Sequence, residues 1–287
     1  MIDAILNYRF MQNALYAALL ASVVTGIIGT IAIEKKLISM SGGIAHASFG
    51  GIGLGYLLGF EPIWGGLLFA VASSVMISRL PRSSRMKADT MIGILWSFGM
   101  ALGILFITLA PGYMPDMTSY LFGDILSVSS GFIVYIAIFT VVVVALFTML
   151  YHPLVLYLFD EEYATARGMN VKLLEWVVYI ILPIGIIVLV KVVGIILTIA
   201  LMTIPVSIAK LYFNSIGKVV GFSMLISFLF CLAGLAVAYY ANIPSGACIV
   251  TISTVVYLLL TFTRSGIQKR RHRQKVHSQY PHGHEQV

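Results

Sequence analysis

The sequence predicts an all-α membrane protein, a polytopic bundle of eight or nine transmembrane helices. Of its 287 residues, 60% are hydrophobic and 10% are charged, whereas soluble domains carry about 25% charged residues. The mean hydropathy is +0.99. Apolar stretches of about 20 residues, the length that crosses a bilayer, recur along the whole chain. They leave no extramembrane stretch long enough for a second folded domain.

Nine apolar segments give the best count of spans. The turn between the sixth and the seventh, LVKVVG, is so short that a broken or re-entrant pair would reduce the count to eight. The predicted segments lie at residues 10–33, 38–59, 63–79, 90–110, 128–150, 173–190, 193–209, 219–240 and 246–263. Asp89, just before the fourth segment, is predicted to cap that helix by accepting backbone N–H bonds.

The distribution of positive charge predicts the orientation. If the N-terminus lies outside, the cytoplasmic connections and the C-terminal tail hold all but two of the 18 Lys and Arg residues, and only Arg9 and Lys191 lie elsewhere. The positive-inside rule therefore predicts an external N-terminus and a cytoplasmic C-terminus. The net charge of +7 follows from this asymmetry and does not indicate a nucleic-acid partner. We expect residues 1–264 to form the membrane domain and residues 265–287 a basic, histidine-containing tail without fixed structure.

His46 is the only histidine inside an apolar segment, and glycines surround it in SGGIAHASFGG. Intramembrane ionisable residues usually belong to a substrate or ion path, and imidazole is a common ligand of transition metals. The alternative is a packing histidine that hydrogen-bonds a neighbouring helix. Small residues recur every four positions on the adjacent face, which favours close helix packing in lipid. This small-residue stripe comprises Gly43, Ala47, Gly51, Gly55 and Gly59.

The connection Leu158 to Asn170 predicts a short surface helix. Asp160 can cap its start, Glu161 and Glu162 suit its first turn, and Gly168 can end it. A helix of two turns is not stable alone in water, so either the membrane domain or a partner must hold it.

The chain lacks the motifs of nucleotide-binding and hydrolytic enzymes. It has no G-x-x-x-x-G-K-[ST] loop, no nucleophile elbow and no histidine motif such as H-E-x-x-H. We expect a transport subunit and no enzyme, with no cofactor bound by this chain. Any energy from ATP must come through another subunit.

Six segments, in order and spacing, resemble the membrane permease family of ABC-type zinc, manganese and iron importers. The resemblance runs from about Ala14 to Phe262 of the chain. The segments are SGGIAHASFGG, ADTMIGILWSFGMALGIL, MTSYLFGDIL, LFDEEYATARGMNV, VGIILTIALMTIPVSIAK and AGLAVAYYANIPSGACIV.

The resemblance implies a subunit in the plasma or inner membrane of a prokaryote, working as a homodimer or with a close relative. Its implied partners are cytoplasmic ATPase subunits, an extracytoplasmic metal-binding protein and membrane lipid. His46 would meet the passing metal, and Asp116 and Asp124 would lie near the outer gate or docking surface. The short helix would couple to the ATPase through Asp160, Glu161, Glu162, Ala164 and Gly168.

One departure from the family concerns the ion. Many relatives place an aspartate four residues before the histidine, where this chain has Gly42. The missing carboxylate makes a high-affinity site within one protomer unfavourable. Since manganese favours carboxylate oxygens and imidazole suits zinc, zinc is the favoured ion, with manganese or iron as alternatives. Four tail histidines could collect the incoming cation, or the basic tail could instead bind anionic lipid. They are His272, His277, His282 and His284.

Two other functions stay open at the level of sequence. An ion-coupled secondary transporter would need no ATPase, but it would normally show paired intramembrane acids or repeat symmetry, and neither is evident. An ABC permease for a metal chelate or cobalamin would need a wider cavity than a permease for a bare ion.

Overall fold

The computed structural model describes residues 7–79, 85–111, 121, 123 and 125–279, without the side chains of 85–88 and 265–279. These residues form eleven α-helices and one 3₁₀ turn, Ile125–Ser127, and no strand lies among them. The all-α class predicted from the sequence is therefore confirmed. The helices are α1 (Arg9–Glu34), α2 (Ile38–Leu58), α3 (Pro62–Ser78), α4 (Arg85–Leu109), α5 (Ser130–Met149), α6 (Tyr151–Phe159), α7 (Glu161–Ala166), α8 (Val171–Val193), α9 (Ile195–Tyr212), α10 (Ile216–Ala241) and α11 (Ser245–Gln279).

Seven of these helices, α1, α4, α5, α8, α9, α10 and α11, are long and apolar enough to cross a membrane. A spanning segment must satisfy its backbone hydrogen bonds inside the hydrocarbon core; where Pro183 interrupts the bonds of α8, the carbonyl of Tyr179 accepts a hydrogen bond from the Ser74 hydroxyl of α3 at 2.6 Å. The two remaining predicted spans correspond to α2, which is rich in Gly and Ser, and to α3, which has 17 residues. Most of α2 is buried in the bundle, whereas α3 is buried along one face and exposes Trp64, Leu68 and Met76.

Ion pairs define the two ends of the bundle. At one end, Glu34 at the end of α1 pairs with Lys210 of α9 at 2.8 Å, and the next residue, Lys35, pairs with Glu161 of α7 at 3.5 Å. We call this the basic end. At the opposite end, Glu61 between α2 and α3 pairs with Lys191 near the end of α8 at 3.6 Å. Most of the described lysines and arginines lie at the basic end.

The short turn between the sixth and seventh segments reverses the chain at a single residue. The helix α8 starts next to α7 at the basic end and reaches Lys191 at the opposite end, while α9 returns to Lys210 at the basic end. Between them Gly194 has φ +80° and ψ 167°, a backbone conformation that suits glycine. The pair therefore makes two passes rather than one broken or re-entrant segment, while the total of eight or nine spans stays a prediction.

The helix α1 lies at the centre of the bundle, against α5, α8, α9 and α10. In its apolar stretch 67% is buried, compared with 22% for α4, 17% for α5 and 22% for α11. The last three helices therefore present large apolar faces outward. These faces are available to lipid or to another protein subunit.

One helix start differs from the sequence prediction, and one helix extends past its apolar stretch. The helix α4 begins at Arg85, so Asp89 lies one turn inside it and does not cap its start. The helix α11 runs to Gln279, past the apolar stretch that ends at Arg264, and the division into a membrane domain and a tail at residue 264 stays a prediction. Lys, Arg and Gln favour helix, and a span that is already helical removes the nucleation step that limits short helices in water. Residues 280–287 lie outside the described residues.

Candidate functional site

The helix α2 packs directly against two neighbours through its small residues. It lies against α4 along much of its length and against α3 on another side. A Cβ atom at Gly43 would lie 2.5 Å from the Ile92 side chain of α4, and one at Gly55 would lie 2.6 Å from Cα of Pro62 at the start of α3. Only glycine permits such approach. The stripe therefore faces two helices in succession.

The closest approaches join backbone to backbone. A Cβ atom at Gly51 would overlap the backbone of Gly65 in α3, and one at Gly99 in α4 would lie 2.7 Å from the carbonyl oxygen of Ala47. Further along the same seam, a Cβ atom at Gly53 would lie 2.6 Å from the carbonyl oxygen of Gly103. The helix α2 therefore packs on α3 and on α4 with few side-chain atoms between the backbones.

His46 lies beside this seam and stacks on Trp96 of α4. The two ring centroids are 4.1 Å apart and the ring planes differ by 10°. The His46 side chain is half-buried, and its Nδ1 is enclosed with no hydrogen-bond partner among the described residues. A packing histidine would bind a neighbouring helix through such an atom. The indole of Trp96 is 43% exposed, so the pair lies at the lightly covered face of α4.

Gly42 lies one turn before His46, and the space beside it is open enough for a side chain. A Cβ atom there would lie 3.9 Å from Cζ3 of Trp96 and 3.8 Å from Cδ1 of Ile199 in α9. Both are ordinary van der Waals distances. The glycine is therefore not required by packing at this position, in contrast to Gly43 and Gly51.

Within the described residues no group of three or more His, Cys, Asp and Glu side chains could hold a metal ion. A cavity of about 430 Å³ opens near the opposite end between α3, α5 and α8. Its lining is apolar apart from Glu61 and the edges of Trp64 and Tyr135, and it does not include His46.

The short helix α7 has the ends that the sequence predicts. The Asp160 side chain accepts a hydrogen bond from the backbone N–H of Tyr163 at 2.8 Å, and Glu161 and Glu162 occupy the first turn. Gly168 follows the helix with φ +75°. The backbone N–H of Gly168 bonds to the carbonyl of Thr165, and that of Met169 to Ala164, the paired bonds of a Schellman ending. The capping roles of Asp160 and Gly168 are confirmed.

The residues of α7 divide between an inner face and an outer face. Ala164 is fully buried against the bundle, so its part in coupling would be to anchor the helix and not to contact a partner. Glu161 is partly buried in its pair with Lys35. Glu162 and Tyr163 are exposed, and the Tyr163 hydroxyl accepts a hydrogen bond from Nε of Arg167 at 3.0 Å. The surface that a partner could contact is therefore the Glu162 side.

Two predicted site residues, Asp116 and Asp124, lie outside the described residues. Conversely, the structure adds Trp96, Lys35 and Tyr157, to which sequence reasoning assigned no role. Trp96 stands 50 positions after His46, and Lys35 stands 126 positions before Glu161. No local pattern joins residues at such separations.

Comparison with known proteins gives one family and close overall matches. Residues 7–264 match the ABC 3 transport family. An uncharacterized membrane protein of Synechocystis is 37% identical over 260 residues, covering 90% of this chain and 92% of that protein. The manganese import system permease protein ScaB of Streptococcus parasanguinis is 31% identical over 271 residues, covering 94% and 96%. The solved structure of PsaBC from Streptococcus pneumoniae in complex with Fab superimposes with a TM-score of 0.81 at 29% identity, covering 90% and 93%.

Proposed function

The chain belongs to the ABC 3 transport family, and from this premise we propose that His46 forms part of the route by which its metal ion crosses the membrane. The protein is a multi-pass permease subunit of an ATP-driven metal-ion importer in a prokaryotic plasma membrane, and not itself an enzyme. Membership of an ABC family favours this function over an ion-coupled secondary carrier. The permeation route and the ion are the parts that we propose.

The observation that supports a role for His46 in the metal route is that its imidazole Nδ1 has no hydrogen-bond partner among the described residues. Metal-binding histidines normally donate their second ring N–H to a carboxylate or carbonyl, which raises ligand basicity and fixes the ring. Here Nδ1 has no such partner among the described residues, and the ring is held by the face of Trp96. An imidazole carrying a metal ion is positively charged, and an indole face attracts positive charge. This arrangement can meet a cation and release it again, as conduction requires.

We propose zinc as the preferred ion on the chemistry of the donor alone. Gly42 supplies no carboxylate one turn from His46, and a single imidazole suits zinc better than manganese. Manganese is the second candidate, because the relative from Streptococcus parasanguinis is named as a manganese permease. An iron ion or a metal chelate would be a third outcome of the same measurement.

The assembly that we propose is a homodimer whose two copies enclose the route, with the basic end in the cytoplasm. The lightly covered faces of α4, α5 and α11 provide surface for a second copy as well as for lipid. ATPase subunits would contact the Glu162 side of α7. An extracytoplasmic metal-binding protein would deliver the ion at the opposite end.

ATP-driven uptake in proteoliposomes that contain the full complex tests this function. We expect zinc uptake to exceed manganese uptake, and His46→Ala to reduce uptake at least tenfold, about 1.4 kcal/mol, with little change in protein abundance. The matched control is His152→Ala, since His152 is exposed and packs against Tyr151 at the start of α6. We expect that variant to transport normally.

The outcomes separate the proposals. If His46→Ala lowers abundance and uptake in equal proportion, His46 is a packing residue and the proposed route is wrong. If manganese uptake exceeds zinc uptake while His46→Ala still abolishes transport, the route stands and the choice of zinc is wrong.

A further inference from the structure

The turn between α1 and α2 is held by charged residues on two sides. The helix α1 ends at Glu34, and α2 begins at Ile38. Glu34 accepts a hydrogen bond from Nζ of Lys210 in α9 at 2.8 Å. Lys35 donates from Nζ to Oε2 of Glu161, the first residue of α7, at 3.5 Å. The turn is therefore attached to α9 by one residue and to α7 by the next.

The contact between Lys35 and α7 is more enclosed than an ordinary surface ion pair. The Lys35 side chain is 16% exposed and that of Glu161 is 33% exposed. Nζ of Lys35 also lies 3.3 Å from the centroid of the Tyr157 ring, and Tyr157 is buried in α6. An ammonium group over an aromatic face, withdrawn from water, is screened less by salt and attracted more strongly than an exposed one.

Lys35 is also close in the chain to the proposed metal route. It lies three residues before the start of α2, and His46 is about two turns further along that helix. The helix α2 has almost no freedom to deform, because Gly43 and Gly51 bring it directly onto α4 and α3. A displacement of the α1–α2 turn must therefore move α2 as a rigid element.

We propose that Lys35 is the positioning residue through which movement of α7 reaches α2 and His46. The proposal rests on the proposed function, in which an ATPase subunit contacts α7. Coupling between distant sites travels through packed side chains and charged contacts that join rigid elements. Here the elements are α7 and α2, and the contact is Lys35 held between Glu161 and the Tyr157 ring.

The test uses the complete complex with its ATPase and binding protein in proteoliposomes, and measures the metal ions imported per ATP hydrolysed. Lys35→Met keeps the apolar stem and removes the charge. We expect this ratio to fall between about twofold and thirtyfold, while membrane abundance and the ATP hydrolysis rate stay close to those of the unchanged protein. The control is Lys210→Met, which removes the other ion pair of the same turn without touching α7, and which should leave the ratio unchanged.

Exchange of the two charges adds a readout that a purely structural role would not produce. Lys35→Glu and Glu161→Lys should each lower the ratio, and the double variant should recover part of it. An unchanged ratio in Lys35→Met, an equal fall in Lys210→Met, or no recovery in the double variant would overturn the proposal. Absence of ATP-driven uptake by the unchanged complex would instead overturn the proposed function, so the two failures are distinguishable.

Discussion

Exchange of glycine for alanine at two positions of α4 tests the packing on which the candidate site depends. A Cβ atom at Gly99 would lie 2.7 Å from the carbonyl oxygen of Ala47, and ordinary contact begins at 3.4 Å. The helices α2 and α4 must therefore separate by at least about 0.7 Å in Gly99→Ala. At Gly93 on the same helix, no atom lies within 4 Å of an added Cβ. Gly93→Ala is therefore a control with the same chemical change and no steric conflict.

The difference between these two variants isolates the steric term. Alanine favours helix over glycine by up to about 1 kcal/mol in both, so that contribution largely cancels. Overpacking of a well-packed contact costs about 1–3 kcal/mol. We expect Gly99→Ala to be less stable than Gly93→Ala by this amount, which corresponds to about 2–4 °C in the unfolding midpoint for each kcal/mol.

The same separation has a functional consequence at the stacked rings. Trp96 lies one turn before Gly99, and His46 lies next to Ala47, so moving the two helices apart draws the indole away from the imidazole. The assay is the temperature of half-loss of folded protein in detergent, followed by metal uptake of the same two variants. Equal midpoints and equal uptake in Gly99→Ala and Gly93→Ala would refute the close approach of α2 to α4.

Three further predictions follow from the described contacts. An added Cβ at Gly42 meets only ordinary contacts, and Gly42→Asp, which adds an oxygen ligand one turn from His46, should raise manganese uptake relative to zinc. The uncharged Gly42→Asn should not, and equal ion ratios in the two variants would contradict this. Asp160→Ala should lose the bond to the Tyr163 N–H, destabilise α7 by about 1 kcal/mol and lower uptake per ATP, and Asp160→Asn, also a good cap, should restore it. Deletion of the residues after Gln268 should leave uptake largely intact, and a tenfold loss would show that the tail takes part in transport.

Features that depend on neighbouring residues could be predicted from the sequence. The start and end of α7 follow from Asp160 and Gly168, because capping is satisfied within four residues of the helix end. The seven candidate spans all lie in segments that hydropathy predicts, because lipid requires long apolar helices. The prediction that Asp89 caps α4 was wrong, because the start of a helix is set by the residues that precede it. Helix start depends on the residues before Asp89, and α4 begins four residues earlier.

Features that depend on the packing of distant helices could not be predicted. The glycine stripe indicated that α2 packs closely, but it could not tell which helices α2 contacts or that Trp96 would stack on His46. The contact of Lys35 with Glu161 required α1 and α7 to meet at the basic end, and charge pattern alone allowed either residue many partners. The identity of the transported ion could not be predicted either, because glycine at position 42 offers no ligand atom where many relatives have an aspartate.

The packing of α2 also restricts how the importer can expose its metal route. Because α2 contacts α3 and α4 backbone to backbone, rotation of α2 alone would break several contacts at once, and tightly packed interiors resist such partial changes. The helices α2, α3 and α4 should therefore move together, and His46 and Trp96 should stay stacked while the three helices move as one body. A cross-link that joins α2 to α4 should then leave transport intact, whereas one that joins α2 to α9, across the gap beside Gly42 and Ile199, should stop it. Arrest of transport by the α2–α4 cross-link would show that the two helices move against each other and that the stacked pair must open.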